Sequence, residues 1–212
     1  MMEAKLLDIG EKLFGGFGAK DQLQDDEILA GERKLGRTLP LPLRTFYKMV
    51  GKNKIVNKAH NQILAPQKLY IHNNAIVFMH ENERVMFWGV RLEDLKSEDP
   101  PVQQGNDQED VWYLDAEHLS SFLISTVCWQ AALGLPFSGV GEVDDQLLSD
   151  LEKQLTNASA GIVDREVDLI GFFEKGLVVA VSKSANKMMV GTNKEKGLES
   201  FEERFDTGLD WL

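Results

Sequence analysis

The sequence predicts an α+β fold. Apolar residues recur at helical spacing as far as Gly51, and short runs rich in Ile, Val, Phe, Tyr and Trp take over from Lys68. Beyond Gly134 a helical pattern, a set of strand-like runs and a final helical pattern follow one another. Helices and strands are thus grouped along the chain, which is the α+β arrangement.

The first helix is predicted over Glu3–Phe14, where Ala4, Leu7, Ile9 and Leu13 sit near helical spacing and Gly15-Gly16-Phe17-Gly18 ends the pattern. Asp25-Asp26 then caps a second helix, with acids in the first turn where the helix dipole favours them. Ile28, Leu29 and Leu35 form its apolar stripe and Gly36 stops it. Pro40 and Pro42 introduce a third helix, Leu43–Val50. Lys68–Asn73, Ala75–His80 and Val85–Arg91 read as antiparallel strands turning at Asn73-Asn74 and Asn82-Glu83.

Ser97–Gln108 reads as a loop punctuated by Pro100-Pro101, followed by a strand at Val111–Leu114. Asp115 is the expected cap of a helix over Ala116–Leu133, with Leu119, Phe122, Leu123, Val127 and Ala131 largely on one face. Gly134–Gly141 is the expected boundary. Past it come a helix (Asp144–Leu155), a hairpin (Leu169–Phe173 and Leu177–Ser182 around Glu174-Lys175-Gly176), a strand at Lys187–Gly191 and a helix at Lys194–Arg204. The expected organisation is a core domain over 1–134 and a C-terminal α/β extension over 142–212, helix–hairpin–helix in outline and docked on the core.

Length and composition narrow the class. A chain of 212 residues lies between one and two domains, and burying roughly 70% of its unfolded surface gives it a full core. With 43% hydrophobic and 27% charged residues it is neither disordered nor a coiled coil. Its longest apolar runs, Ala75–Met79 and Leu177–Val181, fall far short of the ~20 residues of a membrane span. The first residues lack the apolar stretch of a signal peptide, so a cytoplasmic location is expected. A single cysteine, Cys128, rules out an internal disulfide and any multi-cysteine zinc site.

Twenty-three basic residues against 34 acidic ones give a net charge of −11, which argues against direct nucleic-acid binding. The charge is uneven. Arg33–His80 holds nine basic residues and no acid, whereas Glu93–His118 holds nine acids and only Lys96. Both runs read as solvated faces; the acidic one can also serve as a landing surface for a basic partner.

No catalytic constellation emerges. Gly15–Lys20 lacks the spacing of a phosphate loop and follows a helix. His60, His72, His80 and His118 form no H-x-x-x-H, and ligation by His72 and His80 with Glu81 or Glu83 is weaker than ordinary hydrogen bonding. Cys128 lies among apolar helix residues without a nucleophile signature, and no serine stands in a G-x-S-x-G elbow. Trp88 and Trp129 read as core. Trp112 and Tyr113, adjacent in a strand, should point to opposite faces.

Three ordered segments resemble the SUKH superfamily, which includes Smi/Knr-type regulators of glucan synthesis and bacterial toxin-immunity proteins. Glu32-Arg33-Lys34-Leu35-Gly36-Arg37-Thr38-Leu39-Pro40, followed by Leu43 to Tyr47, is similar to its E-x-x-L-G-x-x-L-P and the next helix. Phe78 to Asn82 running into Trp88-Gly89-Val90 resembles its strand pair ending in tryptophan. Asp99-Pro100-Pro101-Val102, on to Trp112 and then Leu119 to Leu123, resembles its D-P-x-V loop and helix.

The resemblance covers about residues 25 to 130. It implies N-terminal helices packed on a twisted, mainly antiparallel sheet, followed by helices, and a non-catalytic binding protein without cofactor or metal. Its implied partner is a cognate toxin domain, with a regulatory scaffold of the Smi/Knr type as the alternative. An acidic inhibitor suits a toxin that uses basic residues on nucleic acid, so Glu98, Asp99, Asp107, Glu109, Asp110 and Tyr113 are the expected contact residues. An enzyme acting on a nucleotide or sugar would instead use the basic window Arg33–Lys68 to hold an anion.

Overall fold

A computed structural model describes residues 1–162 and 168–212. It is of the α+β class. α1 (Met2–Phe14) buries Leu6, Ile9 and Leu13 and closes on Gly15, whose φ of 70° is a left-handed conformation glycine takes without steric cost. α2 (Asp25–Leu35) opens with three acids, and Glu27 accepts a hydrogen bond from Gln24 N at 2.9 Å. α3 (Leu41–Val50) follows Pro40, with Pro42 in the first turn where no intrahelical N–H is needed. Between α2 and α3 the buried Glu32 accepts from Leu39 N at 2.8 Å and closes the connection. α4 (Lys54–Lys58) was not foreseen; five residues are too few to show a period, and Asn53 caps it by accepting from Val56 N.

The first sheet contains β1 (Gln62–Ile63), β2 (Tyr70–His72), β3 (Ala75–His80), β4 (Met86–Arg91), β5 (Val102–Asn106) and β6 (Tyr113–Ala116). Its order is β1-β3-β4-β5-β6, with β2 also alongside β3, and each pairing is antiparallel. Asn73 and Asn74, both at positive φ, make the two-residue β2–β3 turn that suits strand twist.

β5 corrects the expected loop over Ser97–Gln108. Its sequence, VQQGN, carries little strand propensity; Val102 is nonetheless fully buried and Gly105 leaves room for neighbouring rings, so packing decides the conformation.

α5 (Leu119–Gly134) is the core of the molecule. It begins three residues later than expected, because Asp115 and Ala116 belong to β6, where Ala116 pairs with Val102. Asp99, arriving from the preceding strand connection, replaces Asp115 at its start: Ser120 N donates to Asp99 at 2.9 Å and Ser120 Oγ at 2.5 Å. The expected single apolar face is also incomplete. Ser121, Ile124, Ser125, Cys128 and Gln130 on the other sides are buried as well, and a helix without charge over 16 residues is one enclosed all round.

The expected boundary Gly134–Gly141 is occupied by β7 (Phe137–Glu142), an interior strand. Its glycines admit neighbours closely: a Cβ at Gly139 would lie 3.0 Å from Leu209. The second sheet, order β12-β7-β11-β10-β9-β8, adds β8 (Thr156–Asn157), β9 (Leu169–Glu174), β10 (Leu177–Ser182), β11 (Lys187–Thr192) and β12 (Asp210–Trp211). Along β10 the side chains alternate between two cores. Val178 and Ala180 join the one containing α1 and α5, whereas Leu177, Val179 and Val181 join the one under α6 (Asp145–Gln154) and α7 (Glu195–Phe205). A strand covered on both faces is a continuous apolar run.

Candidate functional site

The outer face of the first sheet, opposite its helices, gathers most of the residues that could bind a partner. Phe87 and Gly89 on β4 stand opposite Gly105 and Gln103 on β5. A Cβ at Gly105 would lie 2.7 Å from the Phe87 ring and 3.1 Å from Trp112; one at Gly89 would lie 3.0 Å from Trp112. These two glycines therefore form a bed on which the Trp112 ring rests. Phe87 and Trp112 are 5.2 Å apart between ring centroids, and His72 is 5.1 Å from Phe87. Tilted and edge-on contacts at these separations are favourable.

The connection from β5 to β6 is pinned across this face. Asn106 accepts from Gln108 N and Glu109 N at 2.9 and 2.8 Å, forming a local turn. At the other end Trp112 Nε1 donates to Asn73 O at 3.2 Å, and Asn73 Nδ2 donates to Asp110 at 2.7 Å. At the near end the Tyr70 hydroxyl and His80 Nε2 stand 2.8 Å apart. Burial pulls the His80 imidazole below its usual range, helped by Arg84 and opposed by Asp107. Burial raises the Tyr70 phenol, and the Asp107 charge adds to it.

Asp107, Glu109 and Asp110, three of the six expected contact residues, lie exposed together beside this aromatic layer. Tyr113 is on the opposite face from Trp112, as strand alternation requires, and remains 55% exposed. Its hydroxyl reaches back to Glu109 at 3.2 Å, and that charge, then the hydrogen bond, raise the phenol pKa. Glu98 and Asp99 are not part of the group. The five residues of β5 hold them roughly 17 Å away, at 3.3 Å per residue. Glu98 is exposed there, while Asp99 holds the start of α5 and lies 4.0 Å from His118 Nδ1.

Tyr70, His72 and His80 were missed as a surface, and Phe87, only 3% exposed, as the buried ring beside His72. The available signal was their placement at alternate strand positions facing two glycines, but register is needed to use it. His72 and His80 occupy opposite ends of the hairpin, each against its own aromatic neighbour. Among the described residues, no three His, Cys, Asp or Glu side chains are grouped as metal ligands.

Three of the nine basic residues of the window are matched locally. Arg44, Lys48 and Lys52 stand 3.6, 2.6 and 2.7 Å from Glu32, Asp25 and Glu27 of α2. Cys128 is fully buried, which pushes its thiol up to about 12. No helix among the described residues is long and apolar enough to cross a membrane. Comparison with protein-family models, with curated proteins and with solved structures finds no match to the chain.

Proposed function

We propose that the protein is a non-catalytic binding module of the immunity type, which captures a basic toxin domain and occludes its active site. The observation that carries this reading is the acidic β5–β6 connection held in one shape over a layer of aromatic rings. Aromatic area supplies the anchors of protein interfaces, and adjoining carboxylates select a positively charged partner and speed its approach. Fixing the loop by side-chain hydrogen bonds at both ends lowers the entropy lost on binding. The resemblance of residues 25 to 130 to the SUKH superfamily points the same way.

The test is binding to the C-terminal domain encoded immediately upstream of this gene. A dissociation constant near nanomolar, about −12 kcal/mol, together with rescue of cells expressing that domain, is the expected result. Reversing Asp107, Glu109 and Asp110 to lysine should slow association and flatten its dependence on salt. Unchanged association rates would remove the loop from the mechanism. No detectable binding would overturn the immunity reading in favour of a regulatory scaffold.

A further inference from the structure

The first sheet ends at β6, which pairs with β5 along one edge and turns its other edge outward. Leu114 stands opposite Gln103 and Tyr113 opposite Gln104. In an antiparallel pair the main-chain groups of alternate residues point to opposite sides, so one of Tyr113 and Leu114 directs its N–H and C=O to β5 and the other directs them away. Among the described residues, the main chain of 111–114 makes no hydrogen bond on that outer side.

Sheet edges that stay single are commonly guarded by lysine or proline. The stretch 111–117 contains neither. Its side chains are instead apolar and open, with Val111, Tyr113 and Leu114 exposed by 48, 55 and 47%. Acids bracket them: Glu109 and Asp110 come before, Asp115 and Glu117 after. That charge selects the occupant. A second copy of the chain, paired antiparallel about Tyr113 and Leu114, would set Asp110 of each copy opposite Glu117 of the other, and like charges facing one another across strands are destabilising. A strand with basic residues at those two positions gains where the second copy loses.

Resting on the docking reading above, we propose that the partner is held by strand addition. An extended segment of it pairs with β6, placing basic residues against Asp110 and Glu117 and apolar residues against Val111, Tyr113 and Leu114. Main-chain hydrogen bonds supply the attachment, and the two charges fix the register.

The probe is the peptide acetyl-KTTVVTVK-amide, whose lysines have the spacing of Asp110 and Glu117, titrated into the 15N-labelled full chain. The amide resonances of 111–114 should shift, and the outward-facing amide should exchange with solvent at least tenfold more slowly. The same peptide with glutamate in place of both lysines should have no effect at that concentration. Neither should a version N-methylated at both adjacent valines, which blocks both of its edges. Leu114→Lys should weaken binding at least tenfold while retaining the native circular dichroism; if that variant does not fold, the three-peptide comparison on the wild-type protein decides. Equal responses to the three peptides, shifts at His72 and Phe87 without change at 111–114, or no response would each overturn strand addition. The domain encoded upstream separates this inference from the docking reading. If that domain binds while exchange at 111–114 is unchanged, strand addition fails and the docking face stands. If the peptide protects β6 but the domain does not bind, the edge stands and the immunity reading falls.

Discussion

Replacing Gln130 with leucine should cost the protein about 3–5 kcal/mol. Gln130 is a fully buried amide on α5 that holds the chain at residues 60 and 61 through three hydrogen bonds. Its Oε1 accepts from His60 N at 2.9 Å and Asn61 N at 3.1 Å, and its Nε2 donates to Asn61 O at 2.5 Å. At about 1 kcal/mol per bond the loss is near 3 kcal/mol. Leucine keeps the volume but offers no partner, so the buried N–H and C=O of Asn61 remain dry and raise the loss toward the upper figure. That is a large part of the 5–15 kcal/mol typical of a domain. Urea denaturation of the two proteins, with slopes compared to verify a common transition, measures it. A loss below 1 kcal/mol would show that the 60–61 segment finds other partners and would refute the clamp.

Three further outcomes follow from the same geometry. Asp99→Ala should lower stability by about 0.5–2 kcal/mol through loss of the α5 cap while leaving partner association rates unchanged; slower association would return Asp99 to the docking surface. The His80 pKa lies below its unfolded value near 6.5, so its contribution is complete above that pH and is lost as pH falls through the folded-state pKa. The stability difference between wild type and His80→Gln should therefore shift between pH 7.5 and 5.5, and a constant difference would contradict the assignment. Cys128, with its thiol raised to about 12 and no exposed surface, should resist a thiol reagent at pH 8 until denaturant unfolds the chain; rapid labelling of the native protein would disprove its burial.

The residues that carry the resemblance to the SUKH superfamily have plain structural work in this chain. Glu32 closes the α2–α3 connection, Asp99 starts α5, and Trp88 donates to Asp115. In this chain they hold connections and helix starts together, while the proposed docking face is built largely from other residues. The β2–β3 turn was legible because Asn73 and Asn74 tolerate positive φ. The end of α2 at Gly36 was equally legible, whereas its expected cap, Asp25-Asp26, lies inside the first turn and Gln24 stands at the cap position.

By itself the sequence determined the α+β class, the main helices, most of the longer strands and the presence of a concentrated acidic stretch, because each depends on local propensity or on spacing within one segment. Tertiary structure decided what those segments do together. VQQGN becomes β5 only because Val102 and Gly105 fit between neighbours; the glycine-rich 134–141 segment becomes an interior strand because Met188 and the 208–210 segment approach it closely. The acidic stretch divides at β5, leaving Asp99 to cap a helix and Asp107, Glu109 and Asp110 to border Trp112. Register and packing are relations between distant segments, and it is those relations that turn a run of charges into a shaped surface.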